Sequence, residues 1–191
     1  MIMDLLCVST GKELVLIRNE GKKFEEDFKK SVPEDFYFYR LRDSGSSFNP
    51  TQETGLRFSW QNDYDCFIFY KDSFFPIELK STQGTSMSIQ FTKEEKGKMI
   101  KLSQINGLMK AQKHEGVYAG FLLNFRKTEH TYWLSIKDFY LFYKFTNKKS
   151  INEKDIQENN GILIPQVKKR VRYTYDVKRM IEMIKGKYNN G

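Results

Sequence analysis

Cysteine and histidine are scarce in this chain, which holds two of each among 191 residues. Cys7 and Cys66 are far apart, and Cys66 sits in an aromatic run of strand character, so a disulfide scaffold is not expected. His114 and His130 have no cysteine partners at zinc-ligand spacing, which argues against structural zinc. Long apolar runs are also missing. The longest, such as Cys66 to Tyr70 and Tyr118 to Leu123, fall far short of the roughly 20 residues that a membrane helix needs. The start, Met1 to Cys7, is apolar but carries Asp4 where a secretory signal has Lys or Arg, and no small-residue cleavage site follows. A cytoplasmic protein without a membrane span is therefore expected. Internal repeats and low-complexity tracts are absent as well.

What is present suits a folded domain. The chain has 39% hydrophobic residues, with 16 Phe and 11 Tyr, and 29% charged residues, which excludes wholesale disorder. Its length fits one domain spanning 1–191. Lys and Arg number 32 against 24 Asp and Glu, a formal charge of +8. An excess of that size points to a polyanionic partner, nucleic acid before anionic membrane.

Periodicity orders the elements. Phe24 and Phe28 lie four apart between charges in Gly21 to Lys30, the spacing of a short amphipathic helix stopped by Pro33. Phe36 to Leu41 reads as a strand. Arg42 to Asn62 is rich in Ser, Gly, Asn, Thr and Gln and reads as a long polar loop. Cys66 to Tyr70 and Phe74 to Leu79 form a hairpin about Lys71, Asp72 and Ser73. From Thr92, the spacing of Met99, Leu102, Ile105 and Met109 predicts a long helix ending before Gly116. Val117 to Phe125 and Tyr132 to Ile136 read as strands, and Asp138 to Phe145 as a short helix. A closing helix buries Val177, Met180, Ile181 and Ile184. The order predicts a mixed α/β domain with a central sheet.

The hairpin carries the chemistry. The strand period of two sets Glu78 and Lys80 on one face, with Asp65 at the start of the partner strand. Two carboxylates from adjacent strands can hold a hard cation, and a neighbouring lysine can orient or deprotonate a bound water. Such a triplet also arises by chance as ordinary hairpin charges. Its position tells against chance, because Glu78 stands between Phe74, Phe75, Pro76, Ile77 and Leu79, in a strand apolar enough to be buried.

Asp65 with Glu78, Leu79 and Lys80 resembles the metal site of the PD-(D/E)XK nuclease superfamily, an Asp followed across a hairpin by Glu-x-Lys. More narrowly, the chain resembles the RecU family of Holliday junction resolvases. Gly21 to Glu25 look like the family's first-helix Gly-x-x-x-Glu, and Ser86 to Gln90 look like its Ser-rich segment ending in Gln. Gln104 and Ile105 fall in the long helix. The stretch from Tyr132 to Tyr143, with Lys148, Lys149 and Ser150, resembles its late strand and helix. The resemblance implies a restriction-endonuclease-like fold, a mixed central sheet flanked by helices. It also implies that Asp65 and Glu78 bind Mg²⁺ or Mn²⁺, that Lys80 positions the attacking water, that Glu25 assists, and that Gln90 orients the site. Asp63 competes with Asp65 for the ligand position, since a two-residue slip would exchange them. Glu25 also reads as a helix N-terminal charge beside Glu26 and Asp27, and Gln90 as a solvated amide.

The family's basic stalk corresponds to a loop at about 43–61, expected to be mobile, whose one cation is Arg57. Lys168, Lys169, Arg170 and Arg172, interleaved with Tyr173 and Tyr175, are the other candidates for gripping phosphates. The expected function is a metal-dependent endodeoxyribonuclease that resolves four-way DNA junctions as a homodimer. The alternatives are another nuclease of the superfamily, of restriction or repair type, or a non-catalytic DNA-binding or bridging protein.

Overall fold

The computed structural model describes residues 21–41 and 62–189. The loop at 43–61, Arg57 and the first 18 residues lie outside the described residues.

Among the described residues, six strands form the central sheet. They are β1 (Tyr37–Arg40), β2 (Cys66–Tyr70), β3 (Ser73–Thr82), β5 (Gly120–Phe125), β6 (His130–Ser135) and β8 (Ile162–Leu163), in the spatial order β1-β2-β3-β5-β6-β8. Every pairing is antiparallel except β3 with β5. The sheet is therefore mixed, as the sequence pattern predicts.

Helices cover both faces. On one face, α1 (residues 21–31) and α5 (Val177–Asn189) pack Phe24, Phe28, Met180, Ile181 and Ile184 against Ile68, Phe75, Ile77 and Leu122. On the other, α2 (Leu102–Ala111) and α3 (Ile136–Phe145) pack Ile105, Leu108 and Phe139 against Phe121, Leu123 and Leu134. Alternate residues of β5 and β6 thus feed two separate cores, Leu122 and Trp133 on one side and Phe121, Leu123, Tyr132 and Leu134 on the other, as the strand period of two requires. Ser135 starts α3, its Oγ accepting from the Asp138 amide at 3.0 Å. A smaller pair, β4 (Ser86–Ser88) with β7 (Ser150–Asn152), precedes α4 (Glu153–Glu158). A hairpin of β9 (Gln166–Lys169) and β10 (Arg172–Tyr175) leads into α5.

One helix begins later than its apolar stripe predicts. The stretch from Thr92 to Lys101 is irregular, and α2 starts only at Leu102. The backbone there has other partners: the Ile100 amide donates to the Ser88 carbonyl at 3.0 Å, and the Gln90 amide to the Ile100 carbonyl at 2.9 Å. Gly97 meanwhile takes a φ of +71°. Met99 and Ile100 still bury their side chains against the second core, so the stripe reports burial without helix.

The sheet edge at β1 is aromatic. Tyr37 opposes Phe69, and Tyr39 opposes Phe67. Tyr37, Tyr39 and Phe69 are exposed on the face away from α1, while the Phe67 ring lies 4.8 Å from that of Phe74.

A buried charge ties the C-terminal hairpin to α1. Asp27 is 5% exposed; its carboxylate accepts from the Tyr173 amide at 3.0 Å and from Arg172 at 3.2 Å. Asp27→Ala leaves that amide unsatisfied and should cost about 2 kcal/mol. Arg172→Ala, at a half-exposed pair, should cost less than about 1 kcal/mol. Denaturant unfolding of the two variants checks the order.

Candidate active site

The β2–β3 register sets the two carboxylates side by side. Cys66 pairs with Ile77, so Asp65 falls one step beyond, alongside Glu78. The Asp65 amide donates to the Ile77 carbonyl at 3.2 Å, and the Asp65 carbonyl accepts from the Leu41 amide at 2.9 Å. Its side chain is held too, Oδ2 accepting from the Leu79 amide at 2.8 Å.

Glu78 is 1% exposed, on the face of β3 that looks toward α2. Its Oε1 accepts from Lys80 Nζ at 2.7 Å and also from the Gln104 side-chain amide. Gln104 is fixed in turn, its Oε1 accepting from the Lys101 amide at 2.9 Å. The Glu78 carboxyl is pushed up to about 8, chiefly by burial, with Lys80 opposing the shift and the neighbouring Asp65 adding to it. The desolvated Glu78 and the half-buried Asp65, with a single lysine between them and neutrality, make a place for positive charge.

The remaining candidates stand around this pair. Glu25, on α1, forms an ion pair with Arg40 at 2.5 Å. Both lie near the buried Cys66 thiol, which burial pushes well up and which Asp65, Glu78 and Glu25 push further. Gln90 does not reach the carboxylates. Its Oε1 accepts from the Leu102 amide at 3.0 Å and its Nε2 donates to the Glu95 carbonyl at 2.8 Å, so it anchors the start of α2. The amide beside Glu78 belongs to Gln104 and not to Gln90. Its signals in the sequence are its place in the long helix, within the resemblance, and a glycine one turn further on, Gly107. Asp63 is exposed and turns toward α2, where a Cβ on Gly107 would fall 2.4 Å from its own Cβ.

The basic candidates divide. Arg172 is engaged by Glu26 and Asp27, and Lys168 by Glu129. Lys169 and Arg170 are exposed at the turn between β9 and β10. On the α2 side, Lys93 and Lys101 line an opening of about 420 Å³ with Gln90, Ser103 and Asn106.

A hard divalent ion fits this donor set. Among the described residues no cluster of three or more His, Cys, Asp and Glu side chains forms a site. Mg²⁺ needs no such cluster, since it retains waters and is commonly held by one or two carboxylates together with substrate phosphate. The buried Glu78 beside Asp65 is the observation that supports the fit.

A family model described as recombination protein U, RecU, matches residues 49–179. The stretch holds Asp65, Glu78, Lys80, Gln90 and Gln104 and leaves Glu25 outside. The SPbeta prophage-derived uncharacterized protein YotM of Bacillus subtilis (strain 168) is 36% identical over 181 residues, covering 87% of this chain and 88% of YotM. Among solved structures, Hjc, a Holliday junction resolvase from the archaeal hyperthermophile Archaeoglobus fulgidus, aligns over 68% of this chain and 83% of its own. The TM-score is 0.42, with 14% identity.

The raised Glu78 carboxyl has a consequence for stability. With a folded value of about 8 against 4.5 when unperturbed, the native state holds this proton where the unfolded chain has lost it. Stability of the metal-free protein should therefore fall as pH rises through that window. Glu78→Gln should remove this part of the decline, which thermal unfolding in EDTA across the same pH range will show.

Proposed function

Because the chain belongs to the RecU family, we propose that it is a metal-dependent endodeoxyribonuclease that cuts four-way DNA junctions. The observation that carries the reading is the buried Glu78 carboxylate beside Asp65, with Lys80 on the same face.

In this reading Asp65 and Glu78 hold Mg²⁺ or Mn²⁺. Such an ion lowers the pKa of a bound water and offsets charge on the phosphate under attack. The protein's part is positioning. The Leu79 amide fixes Asp65 Oδ2, while Lys80 and Gln104 together occupy Glu78 Oε1 and lock the carboxylate's orientation. Lys80 Nζ, close to the carboxylates and partly open to solvent, is placed to orient the attacking water and to meet negative charge as it develops on the phosphate. Glu25 acts at one remove, through Arg40 and the β1 end, on the strand pair that carries Asp65.

Branched DNA is the proposed substrate and a homodimer the proposed working form, since a four-way junction has two-fold symmetry and needs two matched cuts. Lys93 and Lys101 beside the site, and Lys169 and Arg170 at the hairpin turn, are the cations proposed to meet phosphates.

Cleavage of junction, flap, duplex and single-stranded DNA, in Mg²⁺ and in EDTA, tests the function. Metal-dependent cutting that favours the junction is expected. Cutting without junction preference would indicate another kind of nuclease, and no cutting at all would leave a DNA-binding protein. Glu78→Ala should abolish cleavage and change junction affinity less than about threefold, because phosphate contacts dominate binding. Lys93→Ser and Lys101→Ser should each reduce the slope of log affinity against log salt by about 1.

A further inference from the structure

A second cavity lies between α2 and the sheet, lined by Asp63 and Tyr64, next to Asp65 in the chain, and by Phe74, four residues before Glu78 on β3. It has a volume of about 280 Å³, with Ala111 and Val117 among its apolar lining and the Tyr64 and Phe74 rings as its aromatic part. Asp63, Lys110 and His114 supply polar groups. Lys110 and His114 are exposed, and among the described residues neither side chain has an ion-pair or hydrogen-bond partner. The cavity is close to the proposed chemistry by two routes. Asp63 and Tyr64 directly precede Asp65, and Gly107, also in the lining, follows Gln104 by three residues on α2. Residues three apart on a helix share a face, about 5 Å along the axis.

We infer that this cavity receives one unstacked nucleobase of the DNA strand being cut, from a nucleotide next to the scissile phosphate. The inference rests on the nuclease reading and adds to it a base-binding site. Three features favour a base. The volume suits one planar ring system and excludes a duplex or a helix. Aromatic rings offer stacking partners that accept any base by its face. The polar groups include both donors and an acceptor, as the edge of a base requires. A base inside an intact duplex is stacked and cannot enter a concave pocket, so occupancy requires unstacking, which is least unfavourable where pairing is already broken. The cavity thereby supplies a reason to prefer branch points that electrostatic attraction to phosphate cannot supply.

The test uses the full chain and an immobile four-way junction in which single bases around the crossover are replaced, one at a time, by abasic residues. Binding is followed by anisotropy in EDTA, where no cutting occurs. Wild type should lose about tenfold in affinity at one abasic position adjacent to the cut bond. Ala111→Leu, which fills the cavity, should bind the intact junction correspondingly more weakly and be indifferent to that abasic substitution. Lys110→Ala changes an exposed side chain, is expected to fold normally, and should reduce the abasic effect in part. A flat abasic profile for wild type, or an equal abasic loss in wild type and both variants, would overturn the inference. So would a flat profile accompanied by loss of dimer in Ala111→Leu, which would assign the cavity to a second copy of the chain. Cutting of the intact junction by wild type in Mg²⁺ is scored separately: its absence refutes the nuclease reading, whereas cutting with a flat abasic profile refutes only the cavity's role.

Discussion

The burial of one carboxylate organises this molecule. Glu78 stands in the middle of β3, a strand paired on both sides, where apolar neighbours strip it of water. A group in that position must be met by positive charge or by donors. The protein meets it from three directions: Lys80 from the same strand, Gln104 from α2, and a cation shared with Asp65 in the proposed working state. Much of the local architecture serves those contacts. For Gln104 to reach Glu78, α2 must begin at Leu102, and the Gln90 side chain holds its first amide. For α2 to lie close enough, Gly107 must lack a side chain against Asp63. The hairpin register then aligns Asp65, and the Leu79 amide fixes its oxygen.

The same constraint separates what was legible in the sequence from what was not. The hairpin, the main strands and the closing helix rest on local periodicity and lie within a few residues of where the pattern sets them: β5 begins at Gly120 rather than Val117, and Ile136 opens α3 instead of ending β6. The pairing of Asp65 with Glu78 follows from a short hairpin whose register two β-prone runs nearly determine. The Gln104 contact crosses 26 positions and depends on where a helix starts, which an apolar stripe alone does not fix. Met99 belongs to that stripe by spacing, yet its amide is taken by Ser88 Oγ at 3.1 Å, outside any helix. The β4–β7 pair joins segments more than sixty residues apart, and three-residue strands carry too little pattern to announce themselves.

Charge was legible in total and not in place. The excess of +8 is a property of the composition, but folding distributes it unequally. Arg172 is committed to Glu26 and Asp27, Lys148 to Asp155, and Lys187 to Asp138. Lys93 and Lys101, unremarkable in sequence, come together beside the start of α2. An exposed cation counts toward polyanion binding only if folding leaves it available, and the pairs that tie it down are set by contacts the sequence does not display.

Everything proposed for catalysis depends on Asp65 and Glu78 together forming a site for one divalent ion. Mn²⁺ titration followed by electron paramagnetic resonance, on wild type, Asp65→Asn and Glu78→Gln without DNA, tests it most directly, since it reads the ion independently of any cleavage. One bound ion per chain is expected in wild type, with loss of that binding in both variants. Unchanged Mn²⁺ binding in the two variants would contradict a shared site.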